Sequence, residues 1–279
     1  MVAVLAEAIL DAPCPRVGLT ITELGIGESV YTVWRSADGE RNAVSGYRRI
    51  TGNDATFITD YHAPVGRPVT YEIEVLSGPA GASRTQSNTV TLDTGGEGYL
   101  MDPLVPQTCV PVVGKRDKND DLYLRGSALA ALEYNAEISI FKVMGSDKPM
   151  ALFGQRMAEM NLDTSIGTRS AEQNTRLKKL LKSTGQLLFR PSPEWGQLDL
   201  PGAMFIGNAQ ATQVPVNVLM GGEITWWDMK SDVVQQPTIK VLTATFTYGD
   251  VALLMSTYQQ KQDLMAGKTY LEDLKNPIG

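Results

Sequence analysis

The sequence predicts a mainly β chain: an N-terminal β-sandwich, a second β-rich domain with one packed helix, and a short helical tail. Three observations predict it. Hydrophobic alternation of period two recurs in short runs through the first third, with turn residues about every ten positions. A glycine- and proline-rich stretch then separates this region from another set of strand-like runs. One segment alone has helical spacing between clear start and stop signals. The length of 279 residues accommodates two domains of ordinary size, roughly 100–200 residues each.

In the first third, "VYTVWRSADGERNAV" sets Val30, Thr32 and Trp34 on one side of a strand and Tyr31, Val33 and Arg35 on the other. It then turns at Asp38-Gly39, a pair that supplies the positive φ of a tight hairpin. Trp34 is expected to face inward and carry much of the sandwich core. "ATFITDYHAPVGRPVTYEIEVLSG" holds two more strands, with Tyr71, Ile73 and Val75 spaced by two, and "SNTVTL" closes the unit. The sandwich is therefore placed at residues 1–92. "MVAVLAEAILDAP" has no basic leading region and carries Glu7 and Asp11, so it reads as structure, not an export signal.

"DTGGEGYLMDPLVP" reads as a linker over 93–106. A β-rich domain is expected over 107–246, with strands at "TCVPVVG", "AEISIFKV" (Ile138 and Ile140 on one face, with Lys142 a candidate for the same face), "QLLFR" and "QPTIKVLTATFTY". Its helix starts at Ser170, a cap with Gln173 three residues on. Leu177, Leu180 and Leu181 form a narrow apolar stripe, so the helix packs on a sheet and leaves Lys178, Lys179 and Lys182 in water. Gly185 stands where a left-handed C′ residue belongs.

Residues 247–279 repeat one pattern. Thr247-Tyr248, Thr257-Tyr258 and Thr269-Tyr270 each place an acid or amide three residues after the threonine, at Asp250, Gln260 and Glu272. Each reads as a capped helix start. Helices this short are marginal in water, so their apolar positions must be covered. They either pack within their own chain or dock on a neighbouring subunit, with tyrosines as anchors. The candidate interface residues are Tyr248, Tyr258, Tyr270, Leu253, Leu264 and Leu271, with Trp195 and Trp227 from the second domain. In Trp226-Trp227, an extended backbone sends one ring to the core and the other to an edge or interface.

Composition excludes several functions. The net charge is −6, from 25 basic and 31 acidic residues, which provides no footprint for nucleic acid. The charge-free stretch 200–222 is broken by amides, glycines and prolines, so no membrane insertion is expected. Cys14 and Cys109 lie far apart and suggest neither a disulfide framework nor a zinc site. His62, the one histidine, sits in a turn and reads as structural. Asp117, Asn119 and Asp121 mimic the start of a calcium loop, but Leu122 and Ala128 stand where glycine and glutamate are needed. Glu194 and Asp199 flank Trp195, a weak hint of a glycosidase. No enzymatic activity, cofactor or metal is expected.

Two resemblances add to this. Trp34, the run from Asp60 to Val75 and "SNTVTL" resemble a fibronectin type III module. From about residue 100 to 275, four stretches in order resemble the minor tail proteins of siphophages infecting actinobacteria. They are "DPLVPQTCVPV", "EISIFKVMGSDKPMALFGQRMAEMNLDTSIGT", "LKKLLKSTGQLLFRPSPEWG" and the Thr-Tyr tail. That resemblance implies a structural virion protein of a long non-contractile tail tip, assembled in the host cytoplasm as a homo-oligomer (trimer or hexamer) with other phage tail proteins. The alternative is a carbohydrate-binding receptor-recognition module of the tail, whose partner would be a host cell-surface glycan.

Overall fold

The computed structural model describes residues 2–113, 122–129, 133, 136–142, 144, 147–156, 161–195, 200–216, 224–238, 255 and 257–269. The chain is mainly β and forms two units. The first comprises the residues up to Gly95, Pro103–Cys109, and Pro237 with the described residues after it; the second comprises Gly96–Asp102 and Val110–Gln236.

The first unit holds two antiparallel sheets. One sheet has the order β1 (Ala3–Ile9), β2 (Arg16–Thr22), β6 (Thr56–Asp60). The other runs β4 (Glu40–Ala43), β3 (Glu28–Ala37), β7 (Pro68–Ser77), β8 (Ser83–Gln86), with β5 (Ile50–Asn53) on β3 and β9 (Val90–Thr91) on β7. Asp38 and Gly39 both take positive φ, so the β3–β4 turn forms as the Asp-Gly pair requires. Val17, Leu19, Ile21 and Ile58 from one sheet and Tyr31, Val33, Tyr71, Ile73 and Val75 from the other are buried.

Trp34 does not join this core. Tyr31, Val33 and Arg35 take the inner side of β3, and Trp34 lies half-buried on the other face. Its indole N–H donates to Glu74 Oε2 at 2.8 Å, and the Arg41 guanidinium lies 3.9 Å from its ring centre. A ring that keeps a polar edge satisfied and a cation on its face is stable at a wet surface.

The second unit is a closed barrel of seven strands. Around the ring stand β10 (Glu97–Asp102), β11 (Val105–Val113, entering this unit at Val110), β12 (Leu122–Leu124), β16 (Ile166–Thr168), β19 (Thr225–Val233), β18 (Met204–Pro215) and β17 (Gln186–Arg190). β15 (Leu162–Asp163) extends β16 along β19 after a break at Thr164-Ser165. There the Ser165 hydroxyl accepts from Met229 N at 3.2 Å, and the Thr164 and Ser231 hydroxyls meet at 2.9 Å.

Residues 93–106 are thus not a linker. Tyr99, Leu100 and Met101 pair with Arg190, Phe189 and Leu188 in the barrel wall. Gly98 lets the Trp195 ring lie against the strand, where a Cβ would collide with it.

The helix α1 (Ala171–Ser183) begins as its sequence requires, with Ser170 Oγ accepting from Gln173 N at 3.2 Å. The Gln173 side chain reaches back to Arg169 N at 2.7 Å. Leu177 and Leu180 join the barrel core, while Lys178, Lys179 and Lys182 are exposed. Gly185 does not serve as a left-handed cap; Thr184 ends the helix in extended geometry, its hydroxyl bonded to both Gln186 N and Gln186 O. Phe189→Ala, which empties the middle of this core, should cost about 3–5 kcal/mol. Trp34→Ala should cost clearly less. Urea denaturation of the two variants checks the order.

Candidate assembly surface

One element stands apart from both cores. β13 (Ala136–Phe141) and β14 (Met150–Arg156) form an antiparallel hairpin that, among the described residues, pairs with no other strand. Its register sets Ile138 opposite Phe153, Ser139 opposite Leu152, Ile140 opposite Ala151 and Phe141 opposite Met150. Facing residues share a face and neighbours alternate. One face therefore presents Ile138, Ile140 and Phe153, the other Phe141, Met150 and Leu152.

All six are exposed; Ile140 keeps 65% of its surface accessible and Phe153 keeps 74%. Two-stranded ribbons are marginal by themselves, and this one carries exposed apolar residues on both sides, with neither outer edge paired among the described residues. The sequence marks Ile138 and Ile140 as one face of a strand but not the second face. Its signal is the run Met150-Ala151-Leu152-Phe153, which lacks the polar alternation of a half-buried strand.

Of the expected interface residues, those that the structure describes lie outside this hairpin. Trp227 is 6% exposed and belongs to the barrel core; its N–H donates to Asn174 Oδ1 at 2.8 Å, and its remaining edge lines a groove of ≈ 330 Å³ beside Lys178 and Lys182. Trp226 turns outward, so the dipeptide divides as an extended strand requires. Trp195 is a loop anchor, with its ring 5.9 Å from Phe189 and its N–H on Gly96 O at 2.8 Å. The middle Thr-Tyr pair starts the helix α2 (Tyr258–Leu264) with a complete capping box between Thr257 and Gln260. Tyr258 is 85% exposed there, and Leu264 is exposed as well. Tyr248, Leu253, Tyr270 and Leu271 lie outside the described residues, as do Asp117, Asn119, Asp121, Asp199 and most of the strand expected in "QPTIKVLTATFTY".

The first unit holds the main cluster of buried titratable groups. Asp60 Oδ2 accepts from Arg35 Nη1 at 2.9 Å and from the Tyr71 hydroxyl at 3.0 Å, and Oδ1 accepts from His62 N at 2.9 Å. His62 Nε2 meets the Pro103 carbonyl at 2.7 Å, and Nδ1 meets Ser45 Oγ at 2.9 Å. A carbonyl only accepts, so the proton sits on Nε2.

Serine, histidine and aspartate are all present, but Asp60 holds the histidine's backbone, not its ring, and all three are buried. The arrangement is therefore a structural network, not a nucleophile with its base. Burial alone would raise the Asp60 pKa; the Arg35 charge and the His62 bonds outweigh it and hold the carboxyl below its usual range. Burial, with Asp60 beside it, pushes the Tyr71 phenol well up, and burial with Asp60, Tyr31 and Tyr61 pushes Tyr47 up to about 12.

Among the described residues no three His, Cys, Asp or Glu side chains gather as metal ligands, and Cys14 and Cys109 are buried and form no disulfide. The fold defines a mainly β, two-unit protein with an exposed apolar hairpin. No family model, curated protein or solved structure matches the chain.

Asp60→Ala leaves a buried guanidinium without its partner and should cost about 3–5 kcal/mol at neutral pH. Because the folded pKa of Asp60 lies below the unfolded one, its contribution is full above about pH 5 and fades as pH falls through the folded value. Wild type and variant should therefore converge in denaturant midpoint in acid. A gap that stays constant down to low pH would contradict the charged pairing.

Proposed function

We propose that this protein is a structural virion subunit of a long non-contractile phage tail tip, assembling with copies of itself and with other tail proteins. The observation that carries the reading is the β13–β14 hairpin, which exposes apolar residues on both faces and, among the described residues, pairs with no other strand. The ordered run of motifs from about residue 100 to 275 supports it from the sequence.

A second copy is the favoured occupant because most soluble oligomers are symmetric assemblies of one chain. In a ring each copy gives its hairpin to one neighbour and receives one from the other, so every apolar face is covered without a special end subunit. Docking a half-exposed Ile or Phe recovers roughly 1 kcal/mol. Six such residues recover about as much as the low end of the cost of association, roughly 4–15 kcal/mol. Main-chain pairing and ring closure then supply the margin.

Sedimentation velocity tests the assembly. The wild-type protein should run as an oligomer, and the double variant Ile140→Asp/Phe153→Asp should run as a 30.3 kDa monomer with an unchanged melting temperature. A wild-type monomer at every concentration, or a variant that still assembles, would remove the hairpin from this role.

A further inference from the structure

On the outer wall of the barrel a second cluster is built with care. Tyr123 on β12, Gly167 on β16 and Trp226 on β19 stand in one row across three strands. Gly167 has no side chain, and the Tyr123 ring lies over it where a Cβ would collide. Tyr123 and Trp226 thereby meet edge to face, with centres 5.1 Å apart and planes at 75°. An arginine sits over each ring: Arg169 is 4.8 Å from the Tyr123 centre and Arg125 is 5.6 Å from the Trp226 centre. Arg125 also donates to Asp228 at 2.6 Å. The aromatic pair and Arg169 are half-buried, and Arg125 is exposed.

Aromatic cover of a strand glycine stabilises a barrel wall, and this explains Tyr123 over Gly167. It does not explain the two arginines. Nor does it explain the Tyr123 hydroxyl and Trp226 N–H, which make no hydrogen bond within the described residues.

Of the two guanidiniums, Arg169 pairs with no carboxylate among the described residues, in a chain whose net charge is −6. An arginine held flat on an aromatic ring keeps its N–H edge fixed and ready for a carboxylate or phosphate. The row therefore offers one oriented anion receptor, two neutral donors for hydroxyl oxygens, and aromatic edges for C–H contact.

We propose that this row binds an anionic saccharide: a sugar chain carrying carboxylate or phosphate groups, with the acid on Arg169 and hydroxyls on Tyr123 and Trp226. The proposal gives a place and a ligand class to the carbohydrate-binding alternative; it rests on that reading alone and not on the hairpin's role. An acidic peptide fits less well. β16 is paired on both sides, with β12 and β19, and β19 with β16 and β18, so an extended peptide finds no open strand edge here and loses the main-chain bonds that carry such recognition. A saccharide needs only the side chains.

Titration of the intact protein with polygalacturonate, followed by tryptophan fluorescence and by calorimetry, tests this against dextran and polyglutamate. Binding of polygalacturonate alone, weakened by salt, is the expected result. Arg169→Gln should lower affinity about tenfold with an unchanged melting temperature. Asp228→Asn frees Arg125 and should tighten binding, a change that a merely structural cluster would not produce.

Teichoic acid in place of polygalacturonate separates phosphate from carboxylate as the preferred acid; binding to either polymer supports the site. Three results would overturn the proposal: no binding to either acidic polymer, equal binding to polyglutamate, or polymer binding that Arg169→Gln leaves unchanged. The hairpin double variant should bind the saccharide as well as wild type, so loss of assembly and loss of binding are read separately.

Discussion

Closure of the barrel by one strand is the constraint on which the second unit depends. Thr225–Val233 pairs with β16 and β15 on one side and, over nine residue pairs, with β18 on the other. Without it the wall would have two open edges and its leucine-rich core would face water. With it, each of the seven strands has a hydrogen-bonded neighbour on both sides, so the wall is not left with the kind of edge that invites unplanned pairing. The strand also splits its tryptophans: Trp227 goes to the core, and Trp226 goes to the outer row with Tyr123.

Closure gives the hairpin its meaning. The barrel pairs its strands on both sides, and Arg41, Glu72, Glu74 and Arg84 cover the outer sheet face around Trp34 with charge. Against that background β13–β14 is an exception, with apolar groups on both faces. Scattered exposed hydrophobic residues need no explanation, but six on one small ribbon do. The buried Asp60 network in the sandwich is of the opposite kind: every charge has a partner, and its worth lies in fixing one arrangement of Arg35, Tyr71 and His62.

Much of the fold was legible where the signal is local. Asp38-Gly39 turns as its φ requirements demand, Tyr71, Ile73 and Val75 face inward at period two, and Ser170 and Thr257 cap helices through the residue three places on. Long-range pairing decided the rest. Both sides of β3 carry large apolar residues, so its own alternation could not tell Trp34 from Tyr31; Glu74 and Arg41, on two other strands, make the choice. The glycines of 93–106 imitate a linker, yet Gly98 is small because Trp195 packs on it, and the six residues Glu97–Asp102 are barrel wall. Of the candidate site, Ile138 and Ile140 were visible as a strand face. The second face was not, because alternation reports burial on one side and is silent about a ribbon with none.

Hydrogen exchange read by mass spectrometry tests the central claim directly, because a hairpin that assembles must lose its contact with solvent. Amides of 136–142 and 150–156 should exchange slowly in concentrated protein and quickly on dilution, while those of β17 and β19 exchange slowly in both. Fast exchange of the hairpin at every concentration, in protein that sediments as an oligomer, would show that the chain assembles through some other surface.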